Sequence, residues 1–274
     1  MTFYVDISAA VHRRAGLGRY AESLVNALAP LLPNDLAFFY NKEHGIQTLD
    51  SLAYLPSRTV SLGYKPWRML IWLAQLARVP FNRLVPDAKL FHATEHLLIP
   101  LRGIPTILTI HDLIFNKKPE HHKPLNRWYL NLALPLFSKR ADRIIVVSEA
   151  TRKDVIETYG INADKISVIP EAAAPRFKPQ PAEKILAVRQ RYKLPGKYIL
   201  YVGTIEPRKN LLRILKVWEK LYKTSKVPPL VIVGNRGWLS EDFFNALEKS
   251  PFRNEALLTG YVRDEDLPAL YAAA

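Results

Sequence analysis

Short runs of β-branched and aromatic residues alternate with amphipathic stretches along almost the whole chain, and this alternation restricts the fold more than any other feature. A strand, a helix and a second strand return to one sheet only through a crossover, so repeated units of this kind build parallel sheets with helices on both faces. Strands are predicted over residues 3–7, 36–40, 59–62, 89–92, 106–110, 143–147 and 166–169, with helices over 19–32, 67–78, 125–139 and 149–159 between them. These complete a first domain over residues 1–170. A stretch rich in proline and charge, residues 171–181, reads as a linker. Residues 182–274 then form a second domain, with a helix at 182–192, strands at 197–202, 230–233 and 257–261, and an amphipathic helix beginning at Leu211. The pattern runs out inside a helical stretch, so the second sheet is expected to be incomplete. Leu200, Val202, Val231, Val233, Leu257 and Tyr261 are expected to lie partly uncovered.

Chemistry concentrates where the second domain opens. Residues 201–211 read Tyr-Val-Gly-Thr-Ile-Glu-Pro-Arg-Lys-Asn-Leu, a strand end, a glycine turn, two cations and a helix start. Gly203 lets backbone approach a ligand without a Cβ in the way. Arg208 and Lys209 stand beside the unpaired N–H groups of the helix that Asn210 is placed to cap, where a phosphate is favoured. A solvated basic pair on an ordinary turn has the same local sequence, so context decides between the two.

The context is a family resemblance. Residues 201–211 resemble the sugar-nucleotide diphosphate site of the GT4 retaining glycosyltransferases, which have the GT-B fold. Four more stretches resemble that family in the same order: Gly16-Leu17-Gly18-Arg19-Tyr20, Thr109-Ile110-His111-Asp112, residues 141–149, and Gly260-Tyr261-Val262 with Asp264-Glu265-Asp266-Leu267. The resemblance implies two Rossmann-like α/β domains facing a cleft, the second one partial. It implies transfer of a sugar, mannose among the options, from a nucleotide diphosphate sugar to a hydroxyl during cell-surface polysaccharide or glycolipid synthesis. His111, Arg208 and Lys209 are the implied catalytic residues. Gly16, Gly18, Asp112, Gly203, Gly234, Tyr261 and Val262 are the implied donor-binding positions, with Gly16 and Gly18 in a loop and Tyr261 or Val262 against the base. The family's paired glutamates, which hold the donor sugar, would follow the last residue, so this chain alone is expected to be inactive. A nucleotide-sugar epimerase of GT-B shape, or a non-catalytic nucleotide-binding fragment, shares the phosphate site and remains an alternative.

Other motifs are weaker. Gly16 to Ala21 also fits a dinucleotide fingerprint, but residues 8–15 separate it from the first strand, and the second strand ends at Tyr40-Asn41 with no acid for a ribose. His111 ends the strand at 106–110, where open α/β sheets place ligands. Asp112 suits that site or a cap on the following turn. His92 and His96 lack the arrangement of a zinc motif, and His121-His122 reads as solvated loop. No metal and no cofactor are expected. The chain lacks cysteine, which removes disulfides and thiolate sites and suits a cytoplasmic location. A net charge of +14, spread over both halves, attracts anions. Nucleic-acid motifs are missing, so the expected partners are a nucleotide sugar, a glycan or lipid-linked acceptor and an anionic membrane surface. Residues 67–78 carry aromatic and aliphatic groups on more than one face. They suit a core helix or one resting on lipid at the inner face of the membrane.

Overall fold

A computed structural model describes residues 2–43 and 49–274. The chain divides into two compact units, Met1–Ala172 and Ala173–Ala274. The first contains β1 (Thr2–Asp6), α1 (Ser8–Val11), α2 (Ala15–Leu28), β2 (Leu36–Asn41), β3 (Ser57–Val60), α3 (Tyr64–Ala77), β4 (Ala88–Ala93), β5 (Thr106–Ile110), α4 (Ile114–Lys117), α5 (Pro124–Arg140), β6 (Arg143–Val146), α6 (Glu149–Tyr159) and β7 (Ile166–Val168). Its seven strands are all parallel, in the order β3-β2-β1-β4-β5-β6-β7. The order reverses between β1 and β4. Loops leaving those two carboxyl ends therefore part and open a crevice, the usual ligand position in such sheets.

Side-chain alternation separates the two faces of this sheet. In β2, Ala37 and Phe39 enter the larger core with Trp67, Phe91, Leu108 and Phe137, while Leu36, Phe38 and Tyr40 enter a smaller one with Val25 and Leu52. Trp67 is 1% exposed, with its ring 6.0 Å from both Phe39 and Phe81. Of the two readings for this helix, the core one holds for Trp67, while Met69, Leu70, Leu73 and Leu76 face outward. Helix α6 begins and ends as its sequence chemistry requires: the Ser148 hydroxyl accepts from Thr151 N at 3.1 Å, and Gly160 closes it at φ 64°.

The second unit contains α7 (Ala182–Tyr192), β8 (Ile199–Val202), α8 (Leu211–Ser225), β9 (Leu230–Val233), α9 (Glu241–Glu248), β10 (Ala256–Gly260) and α10 (Leu267–Ala272), with parallel strands ordered β10-β9-β8. In β9, Leu230 and Ile232 meet Leu215, Trp218 and Phe243, whereas Val231 and Val233 meet Val188, Tyr198 and Leu270. Val231 and Val233 are thus buried, contrary to expectation. Helices α7 and α10 cover that face and are fastened together: Arg191 Nη1 donates to both carboxylate oxygens of Asp266 at 2.8 Å, and Tyr192 donates to the same group at 2.7 Å. Leu200, Val202 and Leu257 are half-buried, and Tyr261 is exposed. Helices α1, α4 and α9 have no predicted counterpart. With four to eight residues they hold too few turns to display a 3.6-residue period.

Candidate functional site

Glycines mark the carboxyl edge of the second sheet, with Gly203 after β8, Gly234 after β9 and Gly260 closing β10. Gly203 N donates to Val233 O at 2.8 Å, and Gly234 N donates to Gly260 O at 2.9 Å. At Gly234, where φ is 142°, a Cβ would lie 2.0 Å from the Gly203 carbonyl oxygen. Only a residue without a side chain lets the strand ends meet this closely. Beyond the edge the two loops are joined: Ile205 N donates to Asn235 O at 3.0 Å and Gly237 N to Ile205 O at 2.9 Å. The loop that carries the cations is therefore held against the sheet.

Within that loop, Pro207–Lys209 form a 3-10 turn and Asn210, at φ 55°, leads into α8. Asn210 occupies the position before the helix but makes no capping hydrogen bond. A left-handed residue ends the preceding turn, whereas side-chain capping needs the extended backbone that Asn210 does not have. Arg208 differs from the free cation expected from sequence. Its Nε and Nη2 donate to Glu206 Oε1 at 2.9 and 2.6 Å, and Glu206 is 4% exposed. The buried carboxylate fixes one edge of the guanidinium and leaves the Nη1 hydrogens for another acceptor. Lys209 is exposed and makes no ion pair among the described residues. Arg208 thus supplies direction, and Lys209 supplies net charge. Burial, with the Glu206 charge second, pushes the Tyr201 hydroxyl up to about 12, so it stays a proton donor, bonded to Thr204 O at 3.2 Å. Tyr261 lies exposed beyond β10, but Val262 is 3% exposed inside the core. Val262 has no face to offer a base, because alternation at the strand exit turns it inward.

In the first unit His111 follows β5 directly. Its Nε2 donates to Thr94 O at 2.9 Å, its Nδ1 lies 3.0 Å from Glu171 Oε1, and Tyr20 meets the ring edge-on at 4.7 Å. The ring is fixed from three sides. Asp112 Oδ1 accepts from Ile114 N at 3.1 Å, a side-chain turn that leads into the short helix α4, whose N-cap position is Leu113. His92 bonds Thr109 Oγ1 at 2.8 Å; burial, then the neighbouring His111, brings it down to about 4. Burial lowers His96 to about 3. Both rings belong to the core, and no group of three or more potential metal ligands occurs among the described residues. His122, expected in solvated loop, is half-buried with its ring 6.2 Å from Phe115.

The β1/β4 crevice also holds residues that motif reasoning did not single out. Asp6, at the end of β1, accepts from Ser8 N at 2.8 Å, keeps Oδ2 buried without a partner, and is pushed up to about 7 by burial. Arg14 bonds both Glu95 and Tyr64, and Glu95 is buried. An acid ending an apolar strand of a parallel sheet is a readable signal for Asp6, as is the two-residue spacing of Glu206 from Arg208. Arg14 and Glu95 are 81 residues apart, and nothing local announces their pairing.

Gly16 and Gly18 are not in a loop, because α2 begins at Ala15 and takes both into its first turn. A Cβ on Gly18 would lie 2.8 Å from Ala9 O, so this glycine lets α2 approach α1; Gly16 has nothing within 4 Å. Gly16→Ala is expected to raise stability by about 0.5–1 kcal/mol through helix propensity. Gly18→Ala is expected to lower it by about 1–3 kcal/mol through overpacking. Urea unfolding of both variants checks this, and a destabilised Gly16→Ala would contradict the helical assignment.

Two family models match the chain, Glycosyltransferase Family 4 over residues 14–176 and Glycosyl transferases group 1 over residues 186–274. The O-antigen chain mannosyltransferase B of Escherichia coli is 30% identical over 94% of this chain and 71% of its own length. Among solved structures, Anabaena Alr3699/HepE, crystallised with UDP and glucose, superposes with a TM-score of 0.68 at 16% identity, covering 100% of this chain and 72% of its own. WaaG, a glycosyltransferase involved in lipopolysaccharide biosynthesis, gives 0.67 at 14% identity, covering 100% and 73%. At such identities the two structures speak for the fold alone.

Proposed function

The chain belongs to the family 4 and group 1 glycosyltransferases of GT-B fold, and from that premise we propose that, together with the family's paired glutamates, it transfers mannose from a nucleotide diphosphate sugar to a hydroxyl of a glycan or lipid-linked acceptor, with retained anomeric configuration. The observation that carries this reading is the edge of the second sheet, where a loop bonded back to the neighbouring strand end carries Arg208, oriented by Glu206, and the exposed Lys209. The bond from the anomeric carbon to the diphosphate oxygen breaks as the acceptor oxygen bonds that carbon on the same face. The acceptor's proton passes to the departing diphosphate. Negative charge grows on that diphosphate, and two positioned cations stabilise it where bulk water would have to reorganise. These cations take the role a metal ion fills elsewhere, so transfer is expected to persist in a chelator. His111 holds the donor sugar, with a hydroxyl taking the place of the half-exposed Glu171 carboxylate at Nδ1. Gly16, open on its Cβ side, is the approach for the donor phosphates, while Gly18 serves packing. The relative's role in an O-antigen chain supports a mannose donor and a place in polysaccharide synthesis. We place the reaction at the cytoplasmic face of the membrane, and no helix among the described residues is long and apolar enough to cross one.

A thermal-shift screen across nucleotide diphosphate sugars is expected to select a mannose donor, and NMR of the product to show the donor's anomeric configuration. His111→Ala is expected to lower kcat/KM about 100-fold or more, as loss of a polar group that acts on the reacting sugar does. An inverted product, or donor binding with no transfer to any hydroxyl acceptor by a chain that also carries the paired glutamates, would sink the proposal.

A further inference from the structure

Helices α3 and α5 lie side by side against the first sheet. Trp72 meets Trp128 with ring centroids 5.9 Å apart, Arg68 donates to Asn126 at 2.9 Å, and Arg140 donates to Gln75 at 3.1 Å. Each helix also carries exposed apolar side chains, Leu70, Leu73 and Leu76 on α3 and Leu125, Trp128 and Leu132 on α5, each between 43% and 73% exposed. A single exposed leucine needs no explanation, but six large apolar side chains exposed along two packed helices that are also buried on their inner faces mark an interaction surface.

Charge identifies the partner. Neither helix contains an Asp or Glu, whereas together they carry Lys65, Arg68, Arg127, Lys139 and Arg140. Where α3 ends, an open cavity of about 690 Å³ is lined by Arg78, Arg102 and Arg140, and none of the three forms a salt bridge among the described residues. Asp142 also lines the cavity, but its Oδ2 accepts from Thr106 N and Thr106 Oγ1 at 2.7 and 2.8 Å, so the three guanidinium groups outnumber one acid that is already bonded. Burial, then the charge of Arg78, disfavours the charged form of Arg140. A protein surface meeting this face would have to be acidic around an apolar centre. A bilayer of anionic phospholipid has that composition throughout, with phosphates at the rim and hydrocarbon behind them.

We infer that the α3/α5 face is a membrane-docking surface, its exposed apolar side chains lying at the boundary of headgroups and acyl chains and its Arg78–Arg102–Arg140 cavity receiving a phospholipid phosphate. The inference rests on the reading of a membrane-associated enzyme given above and deepens it by naming the face. It also moves the contact away from Trp67, which the core encloses.

Cosedimentation with phosphatidylcholine vesicles, with and without phosphatidylglycerol, tests it directly. The protein is expected to bind the anionic vesicles, to bind the neutral ones far more weakly, and to detach as salt rises. Leu73→Glu with Leu76→Glu should lower binding at least about tenfold, because two charges replace immersed apolar groups. Arg78→Gln with Arg102→Gln should lower it severalfold and flatten the salt dependence. All four residues are exposed, so an unchanged melting temperature shows that the variants are folded. Unchanged vesicle binding in the glutamate variant, equal binding to both lipids, or binding to neither would overturn the inference. So would a dimer in solution that the glutamate variant dissociates, since a second copy would then occupy the face. Transfer to a soluble acceptor without vesicles, measured in a chain that also carries the paired glutamates, should be the same in all variants. Loss of that transfer in every form, with vesicle binding kept, would fault the catalytic reading and leave the docking face standing.

Discussion

Lys209→Ala is expected to weaken binding of a nucleoside diphosphate at least about tenfold, because a charge-assisted hydrogen bond to phosphate contributes about 1.5–3 kcal/mol. Lys209 is the cleaner of the two cations to remove: it is exposed and has no ion pair among the described residues, so its loss leaves nothing stranded. Arg208→Ala should weaken binding further, but it also abandons the buried Glu206 carboxylate, and a lone buried charge disturbs the loop that carries both cations. Pairing Arg208→Ala with Glu206→Gln separates the two effects. If the loss comes from the loop, the double variant recovers affinity; if it comes from the missing guanidinium, it does not. Calorimetry with a nucleoside diphosphate reads both outcomes, and an unchanged dissociation constant for Lys209→Ala would remove this loop from the phosphate site.

Gly234→Ala is expected to be the most damaging small substitution in the second unit. Two costs combine there. The backbone stands at φ 142°, where a residue with a Cβ is strained by about 1–3 kcal/mol, and the new methyl would lie 2.0 Å from the Gly203 carbonyl oxygen. The neighbour is backbone, so it yields only if β8 and β9 separate at the end where Gly203 N bonds Val233 O. The expected loss is at least about 2 kcal/mol in denaturant unfolding, with fast hydrogen exchange at the β8 and β9 ends while β5 and β6 in the first unit stay protected. Gly160→Ala is the control, since its φ of 64° is also positive but a Cβ there meets nothing within 4 Å. Equal losses in the two variants would mean that backbone conformation, and not close approach, governs the edge.

Apolar runs set between helical stretches made the ten strands among the described residues legible, because both patterns are properties of neighbouring residues. Those local signals also marked residues 201–211 and put His111 at a strand's carboxyl end, where the structure has it. Pairings across distance were not legible in the same way. Glu206 stood in plain view, yet its claim on Arg208 depends on a loop folded back so that the carboxylate is buried. Arg14, Tyr64 and Glu95 come together only because β1 and β4 lie side by side at the point where strand order reverses. The family resemblance implied a loop at Gly16 and Gly18, but α2 takes both into its first turn and its packing on α1 uses Gly18. The second helical stretch shows the limit most clearly. With apolar residues on every side, it has two self-consistent orientations, and local sequence does not choose between them. The aromatic cluster of Phe39, Phe81 and Phe91 chose: it enclosed Trp67 and turned Leu70, Leu73 and Leu76 to the surface. A chain's own pattern determines which elements form, whereas which face of each is covered depends on what the rest of the molecule brings against it.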